Sequence, residues 1–463
     1  MRNMTPENMA EVTGGKLLGP DTLYQKEITE VVTDSRKIRS GCLFAAIRGA
    51  RVDGHRFIKQ TIQEGAGVIL AEYLPEGTEA EIPVILVGST LKALRDLAAF
   101  YLDQMKIPTV GIIGSAGKTS TKEMVAAVLS QRFRVLKTEG NFNNELGVPL
   151  TVFRIREEHQ IAVIEMGINH FGEMSRLAEI VRPDTVVMTN IGTAHLEFLK
   201  DRDGILQAKS EVFDYLRPDS RVILNGDDDK LITLKEIHGK KPMFFAVDNQ
   251  EADVRAEEIE QIGIEKVRCD IITPSERFAV MIPGSGMHVV HNALAGAAVG
   301  CRYGMCGEEI AEGIAQYKSL SGRFRILKTE NLTIIDDSYN ANPSSMKASL
   351  KVLQNGNGRR VAILGDMGEL GETASELHRG VGLDAGDLDV DVLFCVGDLG
   401  KYIAAGAEET VKKNGRNMLI RWFADREMIS GNLSDLVRKG DTVLVKASRF
   451  MAFEKIVDEL QKF

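Results

Sequence analysis

The run Gly114-Ser115-Ala116-Gly117-Lys118-Thr119-Ser120 joins two glycines, a lysine and hydroxyl side chains directly behind the apolar stretch Thr109 to Ile113. A helical pattern follows, with Met124, Val125, Val128 and Leu129 on one face. Strand, glycine-rich turn and helix in that order make a phosphate cradle. Glycines let the backbone close around phosphate oxygens, the helix N-terminus adds a positive dipole, Lys118 supplies a mobile cation, and the Thr119 hydroxyl can hold Mg2+. The spacing departs from the strict G-x4-G-K-[ST] pattern, because five residues separate Gly111 from Gly117 and position 112 is Ile. A tight strand-to-helix turn with a surface lysine is the alternative. The Gly-Lys-Thr core in its strand-turn-helix setting favours ATP.

Three further side chains have the types needed for chemistry on a bound nucleotide. Glu165 closes the apolar run Ile161 to Ile164, and His195 follows the run Thr185 to Ile191. In a parallel sheet both fall on the rim where the phosphate loop opens. A carboxylate there suits Mg2+, although it could equally cap a helix, and a lone histidine could be a hydrogen-bonded turn residue. Lys209 lies on a predicted helix with Ile205, Leu206, Val212 and Phe213; on composition alone it reads as a solvated lysine. Asn292 could cap the small-residue-rich helix that begins near His291. No G-x-S-x-G nucleophile is present, so no covalent enzyme intermediate is expected.

These residues must be positioned by more than one core, since 463 residues suggest roughly three domains of about 150 residues each. Residues 1–105 read as a small α/β module with strands near residues 67–71 and 83–87. Residues 106–322 read as a parallel sheet with crossover helices, from strands at 109–113, 161–166, 185–191 and 221–224. The segment 241–283 changes to short alternating stretches, an antiparallel edge or insertion. Residues 323–463 form a third α/β pattern, Rossmann-like, with strands at 332–335, 361–364, 392–396 and 442–445. The fold class is α/β throughout.

Composition bounds the partners. The chain is 44% hydrophobic and 27% charged, ordinary for a globular protein, and its net charge of -9 repels nucleic acid and anionic lipid at long range. Phosphate must therefore be captured by local groups. No apolar run is long enough to span a membrane, and the start MRNMTPENMAEVTGG lacks the features of a secretory signal, so a cytoplasmic, monomeric protein is expected. Five scattered cysteines without C-x2-C spacing read as reduced structural thiols.

The phosphate loop resembles that of the Mur ligases, T-G-[ST]-x-G-K-[ST], with Ile113 in place of the usual Thr. The resemblance extends along nearly the whole chain: Gly140-Asn141-Phe142-Asn143-Asn144-Glu145-Leu146-Gly147-Val148-Pro149-Leu150-Thr151, Glu165-Met166-Gly167, Asp336-Asp337-Ser338-Tyr339-Asn340-Ala341-Asn342-Pro343 and Leu364-Gly365-Asp366-Met367-Gly368-Glu369-Leu370-Gly371. These segments look like the branch that joins D-alanyl-D-alanine to UDP-MurNAc-tripeptide through an acyl phosphate. A folylpolyglutamate-type ligase, another Mur ligase or a non-catalytic nucleotide switch is the alternative. The resemblance implies a UDP-substrate domain, a central ATPase domain and a C-terminal domain for the dipeptide and part of the nucleotide. It implies two Mg2+ ions held by Thr119, Glu165, His195 and a carbamate on Lys209, with Lys118 acting on the phosphates. It further implies nucleotide contacts from Asn292, Arg323, Asp337, Tyr339 and Asn340, and substrate contacts from Ser35, Arg36, Asn141 and Asn144.

Overall fold

The apolar runs become strands buried on both faces. Val110, Ile112 and Ile113 in one strand, and Ile161, Ala162, Val163 and Ile164 in its neighbour, are wholly excluded from solvent. Each large aliphatic side chain among them contributes about 1.5–3 kcal/mol by leaving water. In this computed structural model, described over residues 1–49, 52–193, 196–430 and 432–463, the strands form three sheets with helices between them.

The first sheet has the strand order Lys16–Leu18, Val84–Leu86, Val68–Ala71, Leu43–Ala45, Val31–Val32, all parallel except Lys16–Leu18. The second has nine strands, in the order Arg277–Pro283, Lys266–Ile272, Val254–Ile262, Met243–Ala246, Arg221–Asn225, Thr185–Met188, Thr109–Ile113, Ile161–Glu165, Val135–Lys137. The expected change of pattern after residue 241 is real. Met243–Ala246 continues the parallel pairing, then three antiparallel strands end the sheet. Their residues alternate between buried and solvated, as Val267, Cys269 and Ile271 show, because only one face is covered.

The third sheet runs Arg325–Lys328, Thr333–Asp336, Thr442–Lys446, Arg360–Gly365, Val392–Val396, Leu419–Phe423, parallel but for its first strand. Alternate side chains of its strands feed two cores: Leu364 and Leu444 pack with Leu350 on one side, Ile363 and Val445 with Ile456 on the other. The strand expected at 185–191 stops at Met188. Just beyond it the Thr189 N–H still donates to the Ile113 carbonyl at 2.9 Å, while the side chains of Thr189 and Asn190 bond the phosphate loop.

The chain divides into two compact units: Met1–Ile112 with Phe133–Val186 and Ser210–Ser220, and Ile113–Arg132 with Val187–Lys209 and Arg221–Phe463. In the second, the phosphate-loop helix Lys118–Leu129 lies against helix Met287–Arg302. Small residues permit that approach: a Cβ on Gly296 would sit 3.2 Å from both Met124 Cγ and Val128 Cγ2. Among the described residues no helix is long and apolar enough to cross a membrane.

Candidate active site

The phosphate loop owes its shape to the segment that follows the strand Thr185–Met188. Gly114 has φ +155°, and a Cβ there would lie 1.9 Å from Thr189 Oγ1, so only glycine fits. The Thr189 hydroxyl donates to the Ala116 carbonyl at 2.6 Å, and Asn190 Nδ2 donates to the same oxygen at 3.1 Å. Asn190 Oδ1 accepts the Ala116 N–H at 2.9 Å, and the Asn190 carbonyl accepts that of Ser115 at 3.0 Å. Two amides that the sequence assigns to phosphate are thus occupied by Asn190. The first turn of helix Lys118–Leu129 follows directly and puts the positive end of the helix dipole beside the loop. Lys118 Nζ donates to the Gly114 carbonyl at 2.8 Å, folded back across the loop. Thr119 is buried, and the buried Tyr317 phenol faces Ser120.

Lys209, near the end of helix Arg202–Ser210, is 1% exposed. A solvated lysine, open on sequence alone, is excluded. Burial pushes its ammonium well below the usual lysine range, and the charge of Lys118 pushes it further the same way. No carboxylate among the described residues forms an ion pair with it. Both effects favour the uncharged amine, the form that acts as a nucleophile, over the ammonium.

Glu165 belongs to the other unit and ends its strand fully buried. Its Oε1 accepts from Asn143 Nδ2 at 2.7 Å, and its N–H donates to Thr138 Oγ1 at 3.0 Å. Within the asparagine-rich motif it is thus Asn143 that meets the acid. Asn144 instead caps helix Gly147–Val152, its Oδ1 accepting from Gly147 N–H at 2.8 Å, while Asn141 is exposed. His195 lies outside the described residues. Among those described, no three His, Cys, Asp or Glu side chains cluster as a metal site.

Asn292 is buried in helix Met287–Arg302 rather than capping it, and its Oδ1 accepts from Thr121 Oγ1 at 2.8 Å. Its neighbour His291 holds Asp227 at 2.8 Å. Although burial raises Asp227, that contact and the N–H groups of Val247 and Asn249 hold it at about 2. The motif from residue 336 to 343 organises the chain's entry into the third sheet. Asp336 accepts from the Gly322 N–H at 2.7 Å and from the Ser338 hydroxyl at 2.6 Å. Asp337 pairs with the buried Lys446 and accepts from Ser349 Oγ at 2.7 Å. The Arg323 guanidinium lies 3.8 Å from the Tyr339 ring centroid, with that of Arg449 at 5.4 Å, and the Asn340 carbonyl accepts from Lys446 Nζ at 3.1 Å. Arg323, Asp337, Tyr339 and Asn340 therefore form one cluster.

Three family models match successive stretches of the chain: the Mur ligase family catalytic domain over residues 27–102, the Mur ligase middle domain over 112–300, and the Mur ligase glutamate ligase domain over 322–449. The UDP-N-acetylmuramoyl-tripeptide--D-alanyl-D-alanine ligase of Bacillus subtilis is 35% identical, over 99% of both chains. The chain belongs to the Mur ligase family. Among solved structures, MurF from Acinetobacter baumannii superposes with a TM-score of 0.90 at 34% identity over 99% of both chains. The Thermotoga maritima MurF ligase in complex with ADP gives 0.82 at 29% identity, over 94% of this chain and 97% of that one.

In this Mur ligase the first sheet carries Ser35 and Arg36 on a short turn, Ser35–Lys37, capped by Asp34. The Arg36 guanidinium grips Asp34 at 2.9 and 2.8 Å and holds that carboxyl down at about 2, while Arg36 itself stays exposed. Nearby, buried His55 stacks on Tyr73 at 4.3 Å and bonds Asp53 at 2.6 Å, and its Nε2 accepts the Glu72 N–H. Sequence reasoning missed Thr189, Asn190, Asn143 and Lys446. Thr189 and Asn190 had a usable signal: two hydrogen-bonding residues just past an apolar strand, at the rim where the loop opens. Lys446 had none, since the strand around it reads as continuous core.

Proposed function

We propose that this Mur ligase uses ATP to join D-alanyl-D-alanine to UDP-N-acetylmuramoyl-tripeptide, giving the pentapeptide precursor of peptidoglycan. The observation that carries the reading is the pairing, in one compact unit, of the phosphate loop and its helix with Lys209, a fully buried lysine with no anionic partner among the described residues. A nucleotide switch needs no such amine. A neutral lysine amine reacts with CO2 to give a carbamate, which replaces a cation by oxygen donors.

The donor set fits Mg2+, which takes few protein ligands and completes its shell with phosphate oxygens and water. Thr119, Glu165, His195 and the Lys209 carbamate would hold two such ions. When bound they neutralise phosphate charge. The remaining work falls to the protein and the substrates. A terminal carboxylate oxygen of the tripeptide attacks the γ-phosphorus. The bond from that phosphorus to the β–γ bridging oxygen breaks, and ADP leaves with the electron pair. The dipeptide amine then attacks the acyl carbonyl and sheds a proton, and the C–O bond to phosphate breaks. Lys118 leaves the Gly114 carbonyl to face the phosphates, and the first helical turn behind it adds its N–H donors. Arg323, stacked on Tyr339, supplies a second cation, with Asp337 and Asn340 beside it. Asn292 flanks the cradle on the adenine side. Positioning and charge neutralisation supply the acceleration.

In this reading residues 1–105 bind the UDP-substrate through Ser35 and Arg36, residues 106–322 bind ATP, and residues 323–463 bind the dipeptide and part of the nucleotide. Asn141 and Asn144 contribute to the tripeptide site, and the enzyme acts as a cytoplasmic monomer. Phosphate release that requires the UDP-tripeptide and the dipeptide together supports this assignment. Release driven by folate and glutamate would transfer it to another branch of the superfamily.

A further inference from the structure

Two serines from distant parts of the sequence meet at Gly192. A Cβ placed on Gly192 would lie 3.4 Å from Ser115 Cβ, in the phosphate loop, and 3.9 Å from Ser344 Oγ, in the first turn of helix Pro343–Leu353. All three residues belong to one compact unit. Ser115 is more than nine-tenths buried, yet among the described residues its hydroxyl has no hydrogen-bond partner, and the buried Thr193 hydroxyl next to Gly192 has none either. Buried hydroxyls are ordinarily satisfied, so two orphans, one packed against Gly192 and one on the residue after it, point to a polar ligand.

Helix Pro343–Leu353 presents the matching donors. Its cap, Asn342, accepts the Ser345 N–H at 2.9 Å and the Ser344 hydroxyl at 2.9 Å, and its carbonyl accepts the Met346 N–H at 2.9 Å. Pro343 has no N–H. The Ser344 N–H is the first-turn donor that this cap leaves over, at the positive end of an 11-residue helix.

We propose that this helix N-terminus forms the second wall of the phosphoryl-transfer pocket, with the Ser344 N–H and hydroxyl, Ser115 Oγ and Thr193 Oγ1 binding the oxygens of the transferring phosphoryl group. The ligand class is a tetrahedral phosphate oxyanion. The assignment rests on the ATP-dependent ligase reading above. It makes Ser344 a phosphoryl-binding residue whose loss weakens phosphoryl transfer rather than dipeptide capture.

Ser344→Asp tests it, because an acid in the first turn suits the helix dipole and preserves the fold but repels a phosphoryl group. The full chain is compared with the variant by thermal unfolding, steady-state kinetics, and calorimetric titration of inorganic phosphate in the presence of ADP. The expected result is an unchanged or higher unfolding midpoint, a kcat lower by at least about tenfold, phosphate binding weaker by a similar factor, and an unchanged KM for the dipeptide. Ser344→Ala, which keeps the N–H, should lose only a few-fold. Ser344→Asp with wild-type kcat and phosphate affinity overturns the proposal. Should the wild type show no ligation, the functional reading fails while the phosphate titration still decides this site.

Discussion

Asn190→Ala isolates what the loop brace is worth. The substitution removes two hydrogen bonds to Ala116, one at 2.9 Å from its N–H and one at 3.1 Å to its carbonyl. The Thr189 hydroxyl and the Asn190 backbone carbonyl keep their own bonds to the loop. Each neutral bond contributes about 0.5–1.5 kcal/mol net, so roughly 2 kcal/mol of loop ordering is lost. ATP must then supply it on binding, and kcat/KM for ATP should fall about thirtyfold. The assay is steady-state ADP formation against ATP concentration with both peptide substrates saturating. Unfolding should shift by no more than about 2 °C, since the missing bonds are local. An unchanged or improved kcat/KM would refute the reasoning: the freed Ala116 N–H would then be serving phosphate, and Asn190 would be competing with the nucleotide rather than shaping its cradle.

Lys209→Met should separate stability from activity. The folded amine has a depressed pKa, so the unfolded chain binds the extra proton, and native stability declines as pH falls below the ordinary lysine range until the folded value is reached. The neutral variant escapes that penalty: its unfolding midpoint at pH 7 should exceed the wild type's and change less between pH 7 and 10, while kcat drops by about a hundredfold or more. Asn143→Ala deprives the buried Glu165 of its 2.7 Å donor and should lower kcat by about tenfold to a hundredfold and cost about 1–3 kcal/mol in unfolding, as read by the same kinetic and thermal measurements. Asp337→Asn leaves Lys446 buried without its counter-charge, at a cost of about 3–5 kcal/mol in denaturant unfolding. Adding Lys446→Met should recover most of that loss; no recovery would mean that the pair is not what the substitution disturbs.

The parallel strands were legible because burial on both faces demands continuous apolar runs, and the phosphate loop was legible because glycine, lysine and threonine have few other uses between a strand and a helix. The end of the strand Thr185–Met188 was not: Val187, Met188 and Ile191 read as one apolar run, and only tertiary contact shows Thr189 and Asn190 turning to the loop. Asn141, Asn143 and Asn144 are chemically identical in sequence, and a capping turn decides which of them reaches the acid. Lys209 shows the same limit, since a helix with apolar neighbours does not reveal whether its lysine snorkels to water or is buried.

The central claim is that the phosphate loop and the buried lysine serve a peptide-bond-forming ligase. The most direct measurement supplies ATP, UDP-N-acetylmuramoyl-tripeptide and D-alanyl-D-alanine, singly and together, and follows ADP, phosphate and the nucleotide-linked peptide by mass. The account predicts one ADP, one phosphate and one pentapeptide per turnover, formed only when all three substrates are present, and lost in Lys118→Ala. ADP formation at full rate without the dipeptide, or with no new amide bond, would contradict it.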